Sequence, residues 1–197
     1  MRGFPLLIAF VALVGCGSSP PTRFYALDAV KPVEVRSSPA SVKPVKVNAV
    51  HVPPLLDRRA MVRRESGHQV DISSQDRWGA SFAEMTRDVL TEDLQNRLPP
   101  GVVVPPNAPA PGNARGLVVD ILSFMPNGAG HVVLACDWSL LEGAPPHPVL
   151  MRTMHLSQPA GDTPASQAEA MSGLLGKLAD EIAAALSAAG GSGESPK

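Results

Sequence analysis

Apolar and polar positions alternate with a period of two where Val45, Val47 and Ala49 face one way and Lys46, Asn48 and Val50 the other. That spacing predicts a half-buried strand, and it stops before Pro53-Pro54, where a ladder cannot continue. Upstream, Arg23 to Leu27 is short and aromatic enough for a first strand, while residues 28–44 carry three prolines among scattered charges and read as a loop. Met61 to Arg64 and Gln69 to Ile72 suit the two arms of a hairpin turning at Ser66-Gly67. The period then becomes helical from about Trp78 to Arg97, with Trp78, Phe82, Met85 and Val89 in one row and Leu90, Leu94 and Leu98 in the next. Pro99-Pro100 ends that pattern.

Val102 to Val104 predicts a short strand, and residues 105–116 a loop rich in Pro, Ala, Asn and Gly. Leu117 to Phe124 and His131 to Leu141 form paired strands about the turn Pro126-Asn127-Gly128-Ala129-Gly130, and Val149 to Leu156 completes a meander. In its middle strand Val132, Leu134, Cys136, Trp138 and Leu140 share one face, which points the cysteine into the core. A second amphipathic helix spans about 164–188, with Met171, Leu175, Leu178, Ile182 and Ala185 along its stripe. Hairpins with two separated helices define an α+β fold: a mixed, largely antiparallel sheet with both helices packed on one face.

The amino terminus has a different logic. A single charge, Arg2, precedes the apolar run Phe4 to Val14, too short to span a bilayer core that needs roughly 20 apolar residues, so residues 1–15 read as a signal peptide. Leu13-Val14-Gly15-Cys16 has the form of a lipobox. Such a site is acylated on the thiol, cleaved in front of the cysteine, and acylated again on the released amine, so Cys16 is expected to carry a diacylglycerol and an N-acyl chain. One chain anchors reversibly, whereas several hold firmly. Gly17, in place of an aspartate, favours sorting to the outer membrane of a Gram-negative host. Residues 16–22 are then the lipidated cysteine and spacer, 23–188 one α+β domain, and 189–197 a disordered tail.

Composition narrows the function classes. Net charge is −1, without a long basic run, which argues against nucleic acid as a partner. With Cys16 lipidated, Cys136 has no partner for a disulfide and reads as a small buried apolar residue. The five histidines, at 51, 68, 131, 147 and 155, have no metal-ligand spacing, although His131 and His155 lie on neighbouring strands and could approach one another. No nucleophile elbow, Walker loop or zinc motif occurs, so the chain reads as neither an enzyme nor a holder of a cofactor or metal. Asp57-Arg58-Arg59 and Arg63-Arg64, flanked by Leu55, Leu56, Met61 and Val62, form the densest charge cluster, either a solvated rim or a contact surface for a protein partner or lipid phosphate.

Several of these segments fall in a familiar order. Cys16 to Leu27, with its Ser-Pro spacer and Phe-Tyr-x-Leu strand, Val50 to Arg58 followed by Met61-Val62-Arg63, then Arg77-Trp78 opening a helix, and finally Leu117 to Phe124 paired with Val133-Leu134-x-x-Asp137-Trp138, together resemble the ABC-type transport auxiliary lipoproteins, typified by the PqiC lipoprotein of the paraquat-inducible system. Arg59-Ala60 and Ala80-Ser81 depart from the family pattern at two turns. The resemblance implies a non-catalytic accessory of an MCE/ABC-type intermembrane lipid transport system, docking an MCE-domain protein and its ABC permease at the outer membrane. It also implies partner contacts at Leu56, Asp57, Arg58, Arg63, Arg77 and Trp78, and it admits a ring-like homo-oligomer. The alternative is a periplasmic carrier that itself binds a lipid or other hydrophobic ligand between helices and sheet.

Overall fold

The computed structural model describes residues 20–32 and 42–191. The signal segment, Cys16, part of the spacer, the middle of the 28–44 loop and the tail beyond residue 191 lie outside the described residues. In chain order the elements are β1 (Arg23–Tyr25), β2 (Val45–His51), β3 (Ala60–Arg64), β4 (Val70–Trp78), α1 (Phe82–Gln95), β5 (Val103–Val104), β6 (Arg115–Pro126), β7 (His131–Glu142), β8 (His147–Pro159) and α2 (Pro164–Gly191).

The α+β class and both helices are as the residue pattern predicts, but the strands divide into two sheets. A small sheet has the order β1-β4-β3, and a large one the order β5-β2-β6-β7-β8. The division falls at Pro53, whose carbonyl accepts the amides of Leu56 and Asp57 in a tight turn, so the chain leaving β2 starts a new sheet. β6, β7 and β8 form the expected antiparallel meander, whereas β2 runs parallel to both β5 and β6, and β1 parallel to β4.

Residues Val119, Ile121, Leu134, Cys136, Trp138 and Leu140 line the inner face of the large sheet, each at most 4% exposed, opposite Leu90 and Leu94 of α1 and Leu174, Leu178 and Ile182 of α2. Burying such side chains removes apolar surface from water, worth about 2 kcal/mol each, and truncating one to alanine costs roughly 2–5 kcal/mol. Two bulges bend β6 against its neighbours. Asn48 bulges from β2 over Gly116, where a Cβ would lie 2.3 Å from its Nδ2, and Leu122 bulges from β6 and is 56% exposed.

Trp78 corrects the expected start of α1. It is the last residue of β4: its amide donates to the Arg59 carbonyl at 2.7 Å, and the next amide, of Gly79, donates to Tyr25 at 2.8 Å. The helix begins only after Ser81, whose carbonyl accepts the Met85 amide at 2.9 Å. Trp78 nevertheless packs on Phe82 with ring centroids 5.2 Å apart, and Phe82 on Phe124 at 5.7 Å. A strand residue four positions before a helical one thus mimics a helical row, which is why Arg77-Trp78 reads as a helix opening in the sequence.

Candidate docking surfaces

The six residues that the resemblance marks for a partner separate by burial. Leu56 and Trp78 are 5% and 4% exposed and line a small pocket with Val62, Phe82, Phe124 and Met171. Both pack the small sheet onto the large one, which removes them from direct contact with a partner. Asp57, Arg58, Arg63 and Arg77 are exposed, and Arg63 pairs with Asp71 across the β3–β4 ladder at 2.9 Å. On β3 and β4, Arg63 and Arg77 stand outward beside the buried Val62 and Trp78, and in the turn before β3 Leu56 is buried while Asp57 and Arg58 stay outside.

Beside them, β1 is held by one carboxylate. Asp76 accepts Arg23 Nε at 2.8 Å, the Tyr25 hydroxyl at 3.1 Å and the Ser73 hydroxyl at 2.9 Å. Burial pushes its pKa upward, but the hydrogen bonds from Ser73, Arg23 and Tyr25, with the Arg23 charge, outweigh that and hold it below the usual carboxylate range. Arg23 and Tyr25 are therefore committed to one side of β1, and Phe24 between them is turned to the other, 63% exposed.

After β1 the chain does not wander as a loop at once. Residues 26–30 lie as a strap over the helix pair: the Leu27 amide reaches Met85 Sδ at 3.3 Å, Asp28 the Ser172 hydroxyl at 3.1 Å, and Val30 the Asp93 carboxylate at 2.8 Å. Arg97 Nη1 donates to the Val30 carbonyl at 2.9 Å, closing the clamp. Between strap and α2 runs an open groove of about 560 Å³, lined by Phe24, Ala26, Asp28, Gln158, Ala168 and Ser172 among others. Asp93 and Arg97, an i,i+4 pair on an otherwise apolar helix face, were the sequence signal for this clamp.

His131 and His155 are not brought together. His155 pairs with Ala135 and His131 with Pro159, so the two rings are four ladder positions apart, roughly 13 Å along the strands. His131 Nδ1 contacts the Ala129 carbonyl at 2.9 Å, and His51 instead meets Asp120 at 2.7 Å in an exposed pair. Among the described residues, no group of three or more His, Cys, Asp or Glu is arranged to hold a metal. Cys136 is fully buried, and burial, with the charge of Asp137, pushes its thiol up to about 11. Among the described residues no helix is long and apolar enough to cross a membrane. What the arrangement offers is binding surface: exposed guanidiniums, an exposed aromatic and a groove.

An α+β domain of two helices packed on mixed sheets is the class that the fold defines. The sequence model of the ABC-type transport auxiliary lipoprotein component family matches residues 25–183, and the chain belongs to that family. It is a family of transport auxiliaries and not of enzymes. By structure the chain is similar to an uncharacterized protein, with a TM-score of 0.71 at 21% identity over 85% of this chain and 100% of that one. It is also similar to a Xanthomonas campestris protein of the DUF330 family, with a TM-score of 0.65 at 15% identity over 81% of this chain and 92% of that one. At these identities the likeness is one of fold. No curated protein matches the chain.

Proposed function

We propose that this chain is the lipid-anchored accessory of an MCE/ABC-type intermembrane lipid transport system, held at the outer membrane by acylated Cys16 and docking the transporter there. The observation that carries the reading is the family match over residues 25–183, which begins nine residues after the lipobox cysteine. The exposed Asp57, Arg58 and Arg63, fixed over the buried Leu56, supply a rigid charged surface suited to a protein partner.

The carrier reading has one observation in its favour, the groove beside α2. Against it stands the interior between helices and large sheet, which Trp138, Phe124, Leu134, Leu174, Leu175 and Leu178 fill. Docking is therefore the better-supported role.

Capture of an MCE-domain protein from the native host by the mature chain tests the docking role. Arg58→Glu with Arg63→Glu should abolish capture while leaving the fold intact, and failure of the unsubstituted chain to capture any MCE-domain protein sinks the reading. Native mass spectrometry of the same preparation reads the alternative, since a carrier retains a lipid beyond its covalent anchor.

A further inference from the structure

Phe24 and Arg77 are register partners in the parallel β1–β4 ladder, so their side chains stand together on the face of the small sheet opposite Asp76. On β3 the register partner of Arg77 is Ala60, and Arg59, one residue before it, lies opposite Trp78. Arg59 and Arg77 are exposed and, among the described residues, neither is in an ion pair. Asp76, next to Arg77 in sequence, does not cancel this charge, because it is buried on the other face and bound to Arg23, Tyr25 and Ser73. An aromatic ring that is 63% exposed thus stands beside the unpaired Arg77 guanidinium, an arrangement that leaves apolar surface exposed to water.

The position of Phe24 along the chain says what covers it. Phe24 follows Cys16 by eight residues, a separation of at most about 29 Å. A domain tethered this closely meets the bilayer at high effective concentration, so a weak patch is enough to orient it. Guanidinium groups recognise phosphate, and aromatic rings settle at the headgroup level.

We propose that the side of the small sheet carrying Phe24 and Arg77 is a membrane-contact face that rests on anionic phospholipid headgroups, with Phe24 entering the headgroup layer. The inference rests on the anchoring of Cys16 and adds to it a fixed orientation: the small sheet faces the bilayer, and the partner surface at Arg58 and Arg63 is presented alongside it. The groove between strap and α2 then opens at the membrane, with Phe24 on its rim.

The test uses the mature chain from residue 16 with Cys16→Ser, which keeps every described element and removes the acyl chains. It is sedimented with vesicles of phosphatidylcholine alone and of phosphatidylcholine mixed with phosphatidylglycerol. Binding to the mixed vesicles should be about tenfold tighter and should weaken with salt. Phe24→Ala and Arg77→Glu should each lower it by roughly fivefold without changing the melt, while Arg152→Glu, an equal charge change on β8, leaves it unchanged. Equal binding to both vesicles, or an equal loss with Arg152→Glu, overturns the proposal. So does loss of MCE-protein capture by Arg77→Glu with vesicle binding intact, because the face then belongs to the protein partner. Palmitate labelling of the unsubstituted chain reads the anchor separately: its absence removes the anchor and leaves the vesicle result to judge the face.

Discussion

Asp93 Oδ1 accepts the amide proton of Val30 at 2.8 Å and a guanidinium proton of Arg97 at 3.1 Å, from a position with no solvent exposure. Arg97 in turn reaches Asp180 of α2 at 2.8 Å. Two side chains of one helical turn and its continuation therefore join α1, α2 and the strap that leads from the anchor. The remaining carboxylate oxygen, Asp93 Oδ2, has no partner, which makes the charge costly where it sits.

That cost gives a pH dependence with a definite sign. Burial, only partly offset by the Val30 amide and Arg97, raises Asp93 from 3.8 to about 6. The folded state then holds the proton more tightly than the unfolded one, so this contribution to stability is fully present below about 4 and is lost as pH rises through 6. The difference is on the order of 3 kcal/mol. Asp93→Asn keeps an acceptor for Val30 and removes the titration, so denaturant melts should show a loss of stability from pH 4 to 6.5 in the parent that is absent in the variant. Identical slopes in the two proteins would contradict the assignment.

Asp76 has the opposite sign. Its folded value lies below the ordinary 3.8, so the stability it supplies is present above that value and is lost as pH falls through the lowered folded one. Asp76→Ala leaves Arg23, Tyr25 and Ser73 without their common acceptor, and should cost about 1–3 kcal/mol. Hydrogen exchange at the β1 amides is the direct readout, since β1 should open before the large sheet does. Protection of β1 unchanged in the variant would show that its ladder with β4 suffices.

How far these features were legible depended on the range of the interactions that make them. The meander and α2 rest on local periodicity, and Val132 to Leu140 face the core as their alternation requires. The division into two sheets rests on which strand finds which, and β1 pairs with β4 some fifty residues away, beyond the reach of any local pattern. Trp78 misled because a strand end packed on Phe82 repeats a helical spacing. At the candidate surface the residue types were readable and their sides were not: Leu56 and Arg58 are neighbours in sequence, but only the second is outside. The strap was hidden because its donors are backbone amides, which carry no sequence signature; only the polar pair Asp93 and Arg97 at helical spacing hints at where it is held.

The turns of two hairpins meet at Gly128. A Cβ there would lie 1.7 Å from the backbone carbonyl oxygen of Glu65, at the β3–β4 turn, and backbone cannot yield as a side chain does. Gly128→Ala should therefore separate the two turns and destabilise the domain by about 2 kcal/mol or more, lowering Tm by several degrees. Gly112, with nothing within 4 Å of its Cβ position, provides the control, and Gly112→Ala should leave the melt within about 0.5 kcal/mol of the parent. Equal effects at the two sites would mean that the hairpin contact contributes nothing.

Cys136 tests the packing of the sheet against the helices. It sits opposite Ile121 and Met154 on the inner face, fully buried, and its thiol is pushed up to about 11. Only the thiolate attacks an alkylating reagent, so near pH 8 both access and ionisation oppose reaction. The mature Cys16→Ser chain should stay unlabelled by iodoacetamide while folded and take up one adduct when unfolded in guanidinium chloride, read by intact mass. Cys136→Ser, which places a hydroxyl in that apolar layer, should lower stability by about 1–3 kcal/mol. Labelling of the folded chain at the unfolded rate would mean that the β7 face opens readily. The filled interior that disfavours a lipid chamber would then have to be abandoned with it.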